Sequence, residues 1–495
     1  MLVGVDVGTS GAKAVLMEED GEILAARSEE YGVDVPKPGW AEQPPEIWVE
    51  KASRCIRAVV SGHERAVGGV AFSGQMHGIA LVGKDGRPVR NAILWADGRS
   101  GSEAEEIPEL VGRETFLATT LNRVAAGYGL ATLLWLARHE PETLDKTAYM
   151  FCPKDYLRFR LGGAVIHERT DASGTCCLDA ARREWAREIF ATLNLPSGIL
   201  PPLADSTDEG GTLSASGAAL CGLPAGTPLY CGCADNAAAG IGAGLADAER
   251  AGLNIGTGGQ IGVVGGELRT DPEYRLSTFL HPIDGCWNIY GATLAAGLSL
   301  KWFRDAFCPG RSFAELDAMA SQAAPGARGL LFLPYLVGER SPWLDPQARG
   351  IFFGLSLKHG LPEMCRAVME GVVFALEQSY AILSGMGLGR QILLSMGGGA
   401  RSAPWRQIQA GIFGLPVETA SEGDACVGAA ILAGVGSGIY GSIAEGCAAV
   451  TRGCSRRYEP DPKATALYAE RKQAFRSLYL ANRDLFREEA QRSVL

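Results

Sequence analysis

Asp235 and Asn236 follow an apolar run, Pro228 to Cys233, and precede the small-residue stretch Ala237 to Leu245. A strand thus hands a carboxylate to the start of a helix, where exposed amides and the helix dipole favour negative charge. An aspartate so placed is expected to stay ionised at neutral pH and to be able to accept a proton. The plainer alternative is a helix N-cap, for which aspartate is a preferred residue. Two glycine-rich turns tip the balance toward chemistry. In the first, Asp6 ends a strand, and Thr9, Ser10 and Lys13 follow across Gly8 and Gly11. Amides, hydroxyls and one cation could converge there on a phosphate. The carboxylate would repel bare phosphate unless a Mg2+ ion lay between them, a hard cation that takes oxygen ligands and keeps several waters. The turn Gly256-Thr257-Gly258-Gly259 repeats the pattern without the acid, as a second grip on phosphate. A third cluster, Gly397-Gly398-Gly399-Ala400, follows the strand-like Ile392 to Met396 and precedes a helix starting near Ala403, an arrangement suited to the base and ribose of a nucleotide. Neither GxxxxGK[ST] nor GxGxxG occurs, which argues against P-loop and Rossmann chemistry. His77, with Gln75 and Met76, lies on a loop whose flanking Gly74 and Gly78 leave room for a polar ligand.

The elements that must position these groups are legible as alternating patterns. Leu2 to Val7, Ala12 to Met17 and Glu22 to Ala26 read as a β-meander with turns at Gly8 to Gly11 and Glu19 to Gly21. Pro44-Pro45 opens a helix reaching Val60, and Val67 to Phe72 is a further strand leading into the loop Ser73 to Gly78. Ala251 to Ile255, the glycine turn and Gln260 to Val264 echo the opening hairpin. This internal repeat predicts two domains of one kind facing each other across a cleft, residues 1–246 and 247–495, with the boundary near Ala246 to Ala251. Asp461 to Glu489 reads as a terminal helix.

The chain of 495 residues, 47% hydrophobic and 21% charged, is long enough for two domains with sizeable cores. No run approaches the roughly 18 apolar residues of a membrane span. Met1 leads straight into a strand-like run without the pattern of a secretory signal, so a cytoplasmic protein is expected. A net charge of −10 disfavours a nucleic-acid surface. Thirteen scattered cysteines read as reduced, buried thiols. Cys231 and Cys233 lack the second pair or nearby histidine that would complete a four-ligand metal site.

These strings together resemble the FGGY family of carbohydrate kinases, nearly end to end. GVDVGTSGAK (Gly4 to Lys13) resembles the family's first phosphate motif, GWAEQPPEIW (Gly39 to Trp48) the segment after it, and NIGTGG (Asn254 to Gly259) its second phosphate motif. SGQMHG (Ser73 to Gly78) resembles the branch acting on D-xylulose, where the branch acting on glycerol has an Arg-Glu pair. GERSPWLDPQARGIFFGL (Gly338 to Leu355), RAVMEGVVFAL (Arg366 to Leu376) and GGGARSAPWRQIQAGIFGLPV (Gly397 to Val417) extend the likeness. The resemblance implies an α/β protein of two RNase H-like domains, of the actin, Hsp70 and sugar-kinase superfamily, with a sugar and ATP in the cleft. It implies ATP-dependent phosphorylation of D-xylulose to D-xylulose 5-phosphate, or of another ketose or polyol such as L-ribulose, rhamnulose, gluconate or erythritol. Carried over residue by residue, it makes Asp235 the general base, and Met76, His77 and Asn236 sugar contacts. It places Asp6 on Mg2+, with Thr9, Lys13, Gly256 and Thr257 around the phosphates and Gly398 and Gly399 facing the adenosine. A departure stands at Ala131-Thr132, ahead of Leu133-Leu134-Trp135, where the D-xylulose branch usually shows Pro-Lys. The sequence leaves the oligomeric state open, a homodimer being common among similar kinases. A nucleotide-driven switch acting on a protein client is disfavoured by Asp235 and the Met76-His77 loop, which suit a small polyol.

Overall fold

The computed structural model describes residues 1–419, 424–452 and 456–492. Two compact units emerge: Met1–Ala246 with Thr278–Trp287 and Gly423–Arg452, and Asp247–Ser277 with Asn288–Glu422 and Gly453–Leu495. The main division falls after Ala246, but 247–495 is not one continuous body, because two segments return to the first unit.

The first unit is built on β1 (Leu2–Val7), β2 (Gly11–Met17), β3 (Ile23–Glu30), β4 (Gly69–Gly74), β5 (Glu209–Thr212) and β6 (Pro228–Ala234), in the order β5-β6-β4-β1-β2-β3. β1 pairs antiparallel with β2 and parallel with β4, and β4 pairs parallel with β6. Alternation along β1 gives the sheet two apolar faces. Val3, Val5 and Val7 enter a core with Trp48, Ile56 and Val59 of α1 (Pro45–Val60) and with Tyr156, Leu157 and Leu161 of α2 (Pro153–Gly162). The short helix α3 (Arg169–Gly174) and then α4 (Asp235–Gly242) complete the continuous part used below.

The second unit repeats this plan. Its strands β7 (Arg250–Ile255), β8 (Gly259–Gly265), β9 (Trp287–Thr293), β10 (Ile392–Met396), β11 (Val417–Thr419) and β12 (Arg457–Tyr458) follow one another as β9-β8-β7-β10-β11-β12. An antiparallel hairpin, β7 and β8, is again followed outward by two parallel strands, β10 and β11. Helices α5 (Gly297–Phe307), α6 (Leu361–Gly385) and α7 (Ala403–Phe413) belong to this unit.

The chain then returns to the first unit as α8 (Ala425–Gly436), before the terminal helix α9 (Pro462–Arg492). The return has a physical reason. Leu2 and Ala71 point to the opposite face of the first sheet, where Ala237, Ala238 and Ile241 of α4 and Cys426 to Ala433 of α8 form a second core. Without α8, α4 would leave much of that face uncovered. Small residues let these elements approach closely: a Cβ on Gly4 would lie 1.8 Å from the Cys426 carbonyl oxygen, and one on Gly428 would lie 1.9 Å from that of Ala238. Among the described residues no helix is long and apolar enough to cross a membrane.

Gly428→Ala would force α8 away from α4. Overpacking of this kind destabilises by about 1–3 kcal/mol, so the urea midpoint should fall, and with it turnover, since α4 begins with Asp235. An unchanged midpoint would contradict the close approach.

Candidate active site

Three parallel strands of the first unit, β1, β4 and β6, end side by side. Asp6 stands opposite Ser73, and Ser73 opposite Cys233. Neighbouring strands lie about 4.7–4.9 Å apart, so Asp6, the loop after Ser73 and Asp235 share one edge of the sheet. β6 is irregular just before that edge: its pairing shifts between Tyr230 and Cys233. Gly232 adopts a φ of +71°, and a Cβ there would sit 1.7 Å from the Phe72 carbonyl oxygen. Bulges of this type bend a strand and re-aim the residues beyond it. Here the re-aimed residue is Asp235, at the first position of α4. Ala234 occupies the N-cap, and no side chain caps the helix, so Asp235 is not serving as a cap.

Its ionisation differs from the sequence expectation. Burial raises the Asp235 carboxyl to about 7, the charge of Asp6 pushes the same way, and the Asn236 backbone N–H only partly opposes them. Although Asp235 keeps some exposure, the protein packed around its carboxyl makes desolvation outweigh the helix dipole. Asp6 is raised to about 6: burial leads, the Ser73 hydroxyl opposes, Asp424 adds repulsion, and Lys13 relieves some of it. The Ser73 hydroxyl donates to Asp6 over 2.9 Å. Lys13 pairs with Asp424, whose carboxylate also caps α8 by accepting from the Cys426 N–H at 2.9 Å. Burial works against the Lys13 charge, but the hydrogen bond and charge of Asp424 outweigh it and raise its pKa.

Half-buried carboxylates crowded together, with Asp424 raising Asp6 and Asp6 raising Asp235, are suited to a cation. Among the described residues no group of three or more His, Cys, Asp or Glu could hold a metal. That donor set fits Mg2+, which is bound through one or two carboxylates together with substrate phosphates rather than in an all-protein cage. Asp6 and Asp424 are the carboxylates available for it.

The first turn is held by a network of amides and rings. Gln43 donates to the Thr9 carbonyl at 2.8 Å and accepts from the Trp48 indole at 2.9 Å. The Tyr31 hydroxyl donates to the Gly8 carbonyl at 2.7 Å. The Thr9 hydroxyl donates to Gln75 at 3.1 Å and accepts from the Trp95 indole at 2.9 Å. These bonds fix the orientation of the turn from below, joining it to the loop that carries His77.

His77 takes a left-handed φ of 72°. Its Nδ1 lies 2.6 Å from the Gly174 carbonyl oxygen. A carbonyl only accepts, so Nδ1 carries the hydrogen. The imidazole stacks on Tyr128 with centroids 4.0 Å apart and lies 5.7 Å from the Phe279 ring. Met76 is buried, and a Cβ on Gly174 would crowd both its methyl at 3.1 Å and the His77 ring at 3.4 Å.

In the second unit the two glycine motifs meet at the ends of β7 and β10, where Asn254 stands opposite Met396. A Cβ on Gly397 would lie 2.3 Å from the Asn254 Oδ1, and one on Gly399 would lie 2.6 Å from the Ile255 Cβ. Gly256 and Thr257 form the turn, whose carbonyls accept from the first amides of α5: Gly297 N–H donates to Gly256 at 2.8 Å and Leu298 N–H to Thr257 at 3.0 Å. Gly398 and Gly399 begin a short 3-10 turn ahead of α7. Thus Asp6, Thr9, Lys13, Met76, His77, Asp235 and Asn236 gather in one unit, and Gly256, Thr257, Gly398 and Gly399 in the other.

Sequence reasoning missed Asp424, Tyr128, Gly174 and Phe279. A signal for Asp424 exists: it precedes the small-residue run Ala425 to Ala430 as Asp235 precedes Ala237 to Gly240. Cys231 and Cys233 are buried free thiols, and burial pushes Cys231 up to about 12.

The FGGY N-terminal domain matches residues 1–242, and the C-terminal domain of the same family matches 252–437. The chain belongs to the FGGY family of carbohydrate kinases. Membership makes it a phosphotransferase that uses ATP and a sugar. It is 36% identical to the xylulose kinase of Bacillus subtilis (strain 168), over 98% of this chain and 97% of that one. It is likewise 36% identical to the xylulose kinase of Escherichia coli (strain K12), over 97% and 98%. The crystal structure of a xyloylose kinase from Brucella ovis superposes with a TM-score of 0.90 at 33% identity, covering 98% of this chain and 99% of its own.

Removing the Asp6 charge should lower the pKa of Asp235. Infrared titration of the metal-free Asp6→Asn protein, with Asp235→Asn identifying the band, should show the carboxylic C=O signal lost at lower pH than in the parent. An unshifted band would mean the two groups are not coupled.

Proposed function

We propose that this kinase transfers the γ-phosphoryl group of ATP to the terminal hydroxyl of D-xylulose, giving D-xylulose 5-phosphate. Asp235 takes the hydroxyl proton, and the observation that carries this role is its half-buried place at the first position of α4, beside Asp6 and the His77 loop, with a carboxyl raised to about 7. A general base works best when its pKa lies near the operating pH. Met76, His77 and Asn236 hold the sugar. Lys13, Thr9, Gly256 and Thr257 surround the phosphates, and Gly398 and Gly399 face the adenosine. Asp6 and Asp424 would hold a Mg2+ ion, which when bound neutralises charge on the phosphoryl oxygens. Phosphoryl transfer has a loose transition state in most analyses, so positioning and electrostatic stabilisation carry the rate. The choice of D-xylulose is supported by SGQMHG (Ser73 to Gly78) and by the xylulose kinases that the chain resembles over nearly its whole length.

Asp235→Asn should leave sugar binding largely intact and cut kcat by at least the ~10²-fold typical of a lost general base; near-normal turnover would remove Asp235 from the role. Because the base acts as a carboxylate, kcat/KM for the sugar should rise with pH through its pKa and level off above it. His77→Ala should raise the sugar KM with the ATP KM little changed, and a change confined to ATP would overturn the sugar-loop assignment. A coupled ADP assay over ketoses and polyols should rank D-xylulose first. A higher kcat/KM for gluconate, L-ribulose, rhamnulose or erythritol would replace it as substrate.

A further inference from the structure

Behind the sheet edge lies a polar cluster that the proposed reaction does not use. Lys154, Asp155, Glu168 and Asp171 are fully buried, with the Lys154 ammonium 3.1 Å from Asp155 and 3.3 Å from both Glu168 and Asp171. Glu168 sits at the start of α3 and accepts from the Thr170 N–H at 2.8 Å, the Asp171 N–H at 3.2 Å and the Ser206 hydroxyl at 2.8 Å. It also accepts the hydroxyl hydrogen of Thr170, at 2.7 Å. That bond fixes the rotor of a side chain only 2% exposed. With its hydrogen committed to Glu168, the Thr170 oxygen presents a lone pair, and at 3.0 Å it accepts the backbone N–H of Ala234.

Ala234 is the residue before Asp235 and the N-cap of α4. The bulge at Gly232 shifts the pairing of β6 with β4 just before it, between Tyr230 and Cys233. At the other end of α3, four residues on, the Gly174 carbonyl accepts from His77. One six-residue helix therefore touches the backbone that aims the proposed base and the ring proposed to hold the sugar.

We propose that Thr170 is a positioning residue for phosphoryl transfer: its hydroxyl, oriented by Glu168, sets where the start of α4 places the Asp235 carboxylate. This rests on the reading of Asp235 as the base. The residue itself, shut away from solvent, has no part in holding the sugar, so its loss falls on the chemical step. A displacement of about 1 Å at a reacting group can lower a rate on the order of 10²-fold.

The test compares Thr170→Val, which keeps the shape and removes the hydroxyl, with Thr170→Ser, which restores it, and with Asp235→Asn. Thr170→Val should lower kcat by about tenfold or more while the KM for D-xylulose and for ATP stays within about twofold, and Thr170→Ser should recover most of the rate. A purely structural role would lower the amount of folded protein without changing kcat per folded active site, so active sites are counted by binding of a labelled nucleotide. Thr170→Ala, which removes the hydroxyl without adding bulk, is read in the same way. Parent-like kcat in the Thr170 variants alongside an inactive Asp235→Asn overturns the inference alone; a parent-like Asp235→Asn overturns the reading beneath it. A raised sugar KM at unchanged kcat also overturns the positioning role.

Discussion

Asp6, at the end of a strand, and Asp235, one step past the end of another, are half-buried acids at one edge of a sheet; the charge of Asp6 makes that of Asp235 harder to sustain, as Asp424 does for Asp6. The arrangement is unfavourable for the protein by itself. Its raised acids are what would make the site responsive: one can take a proton near neutral pH, and the other is a ready partner for a divalent cation. The Lys13–Asp424 pair next to them is the same tension partly relieved. Perturbed acids of this kind cluster where chemistry is done.

The rest of the first unit can be understood as holding that pair in place. Parallel pairing of β1 with β4 and of β4 with β6 brings the two acids to one edge. The helices α4 and α8 approach closely through glycine, so that the second core of the sheet presses on the base of α4. Gln43, Gln75, Trp48, Trp95 and Tyr31 tie the first turn to the neighbouring loop. Polar networks inside a protein specify geometry only when their members are satisfied, and in this one a single hydroxyl, on Thr9, both donates and accepts.

Much of this was legible in the sequence because it is local. Strand alternation and glycine turns place β1, β2, β7, β8 and β10 within a residue or two of their observed ends, and Pro44-Pro45 announces α1. The repeat of the hairpin gives the doubled sheet plan. The features that were not legible depend on residues far apart in the chain. Gly423–Arg452 returns to the first unit because the back of its sheet needs cover, which no local pattern reveals. Lys13 meets Asp424, and His77 meets Gly174, across long separations. The ionisation of Asp235 was misjudged for the same reason: a helix start can be read from its flanks, but burial and the nearness of Asp6 cannot.

The most direct measurement of the central claim is a crystal structure of the protein with D-xylulose, Mg2+ and a non-hydrolysable ATP analogue. The account predicts the terminal hydroxyl of the sugar within about 2.6–3.2 Å of an Asp235 carboxylate oxygen, and Asp6 bound to the ion directly or through its water. A sugar seated with that hydroxyl turned away from Asp235, or an ion remote from Asp6, would contradict it.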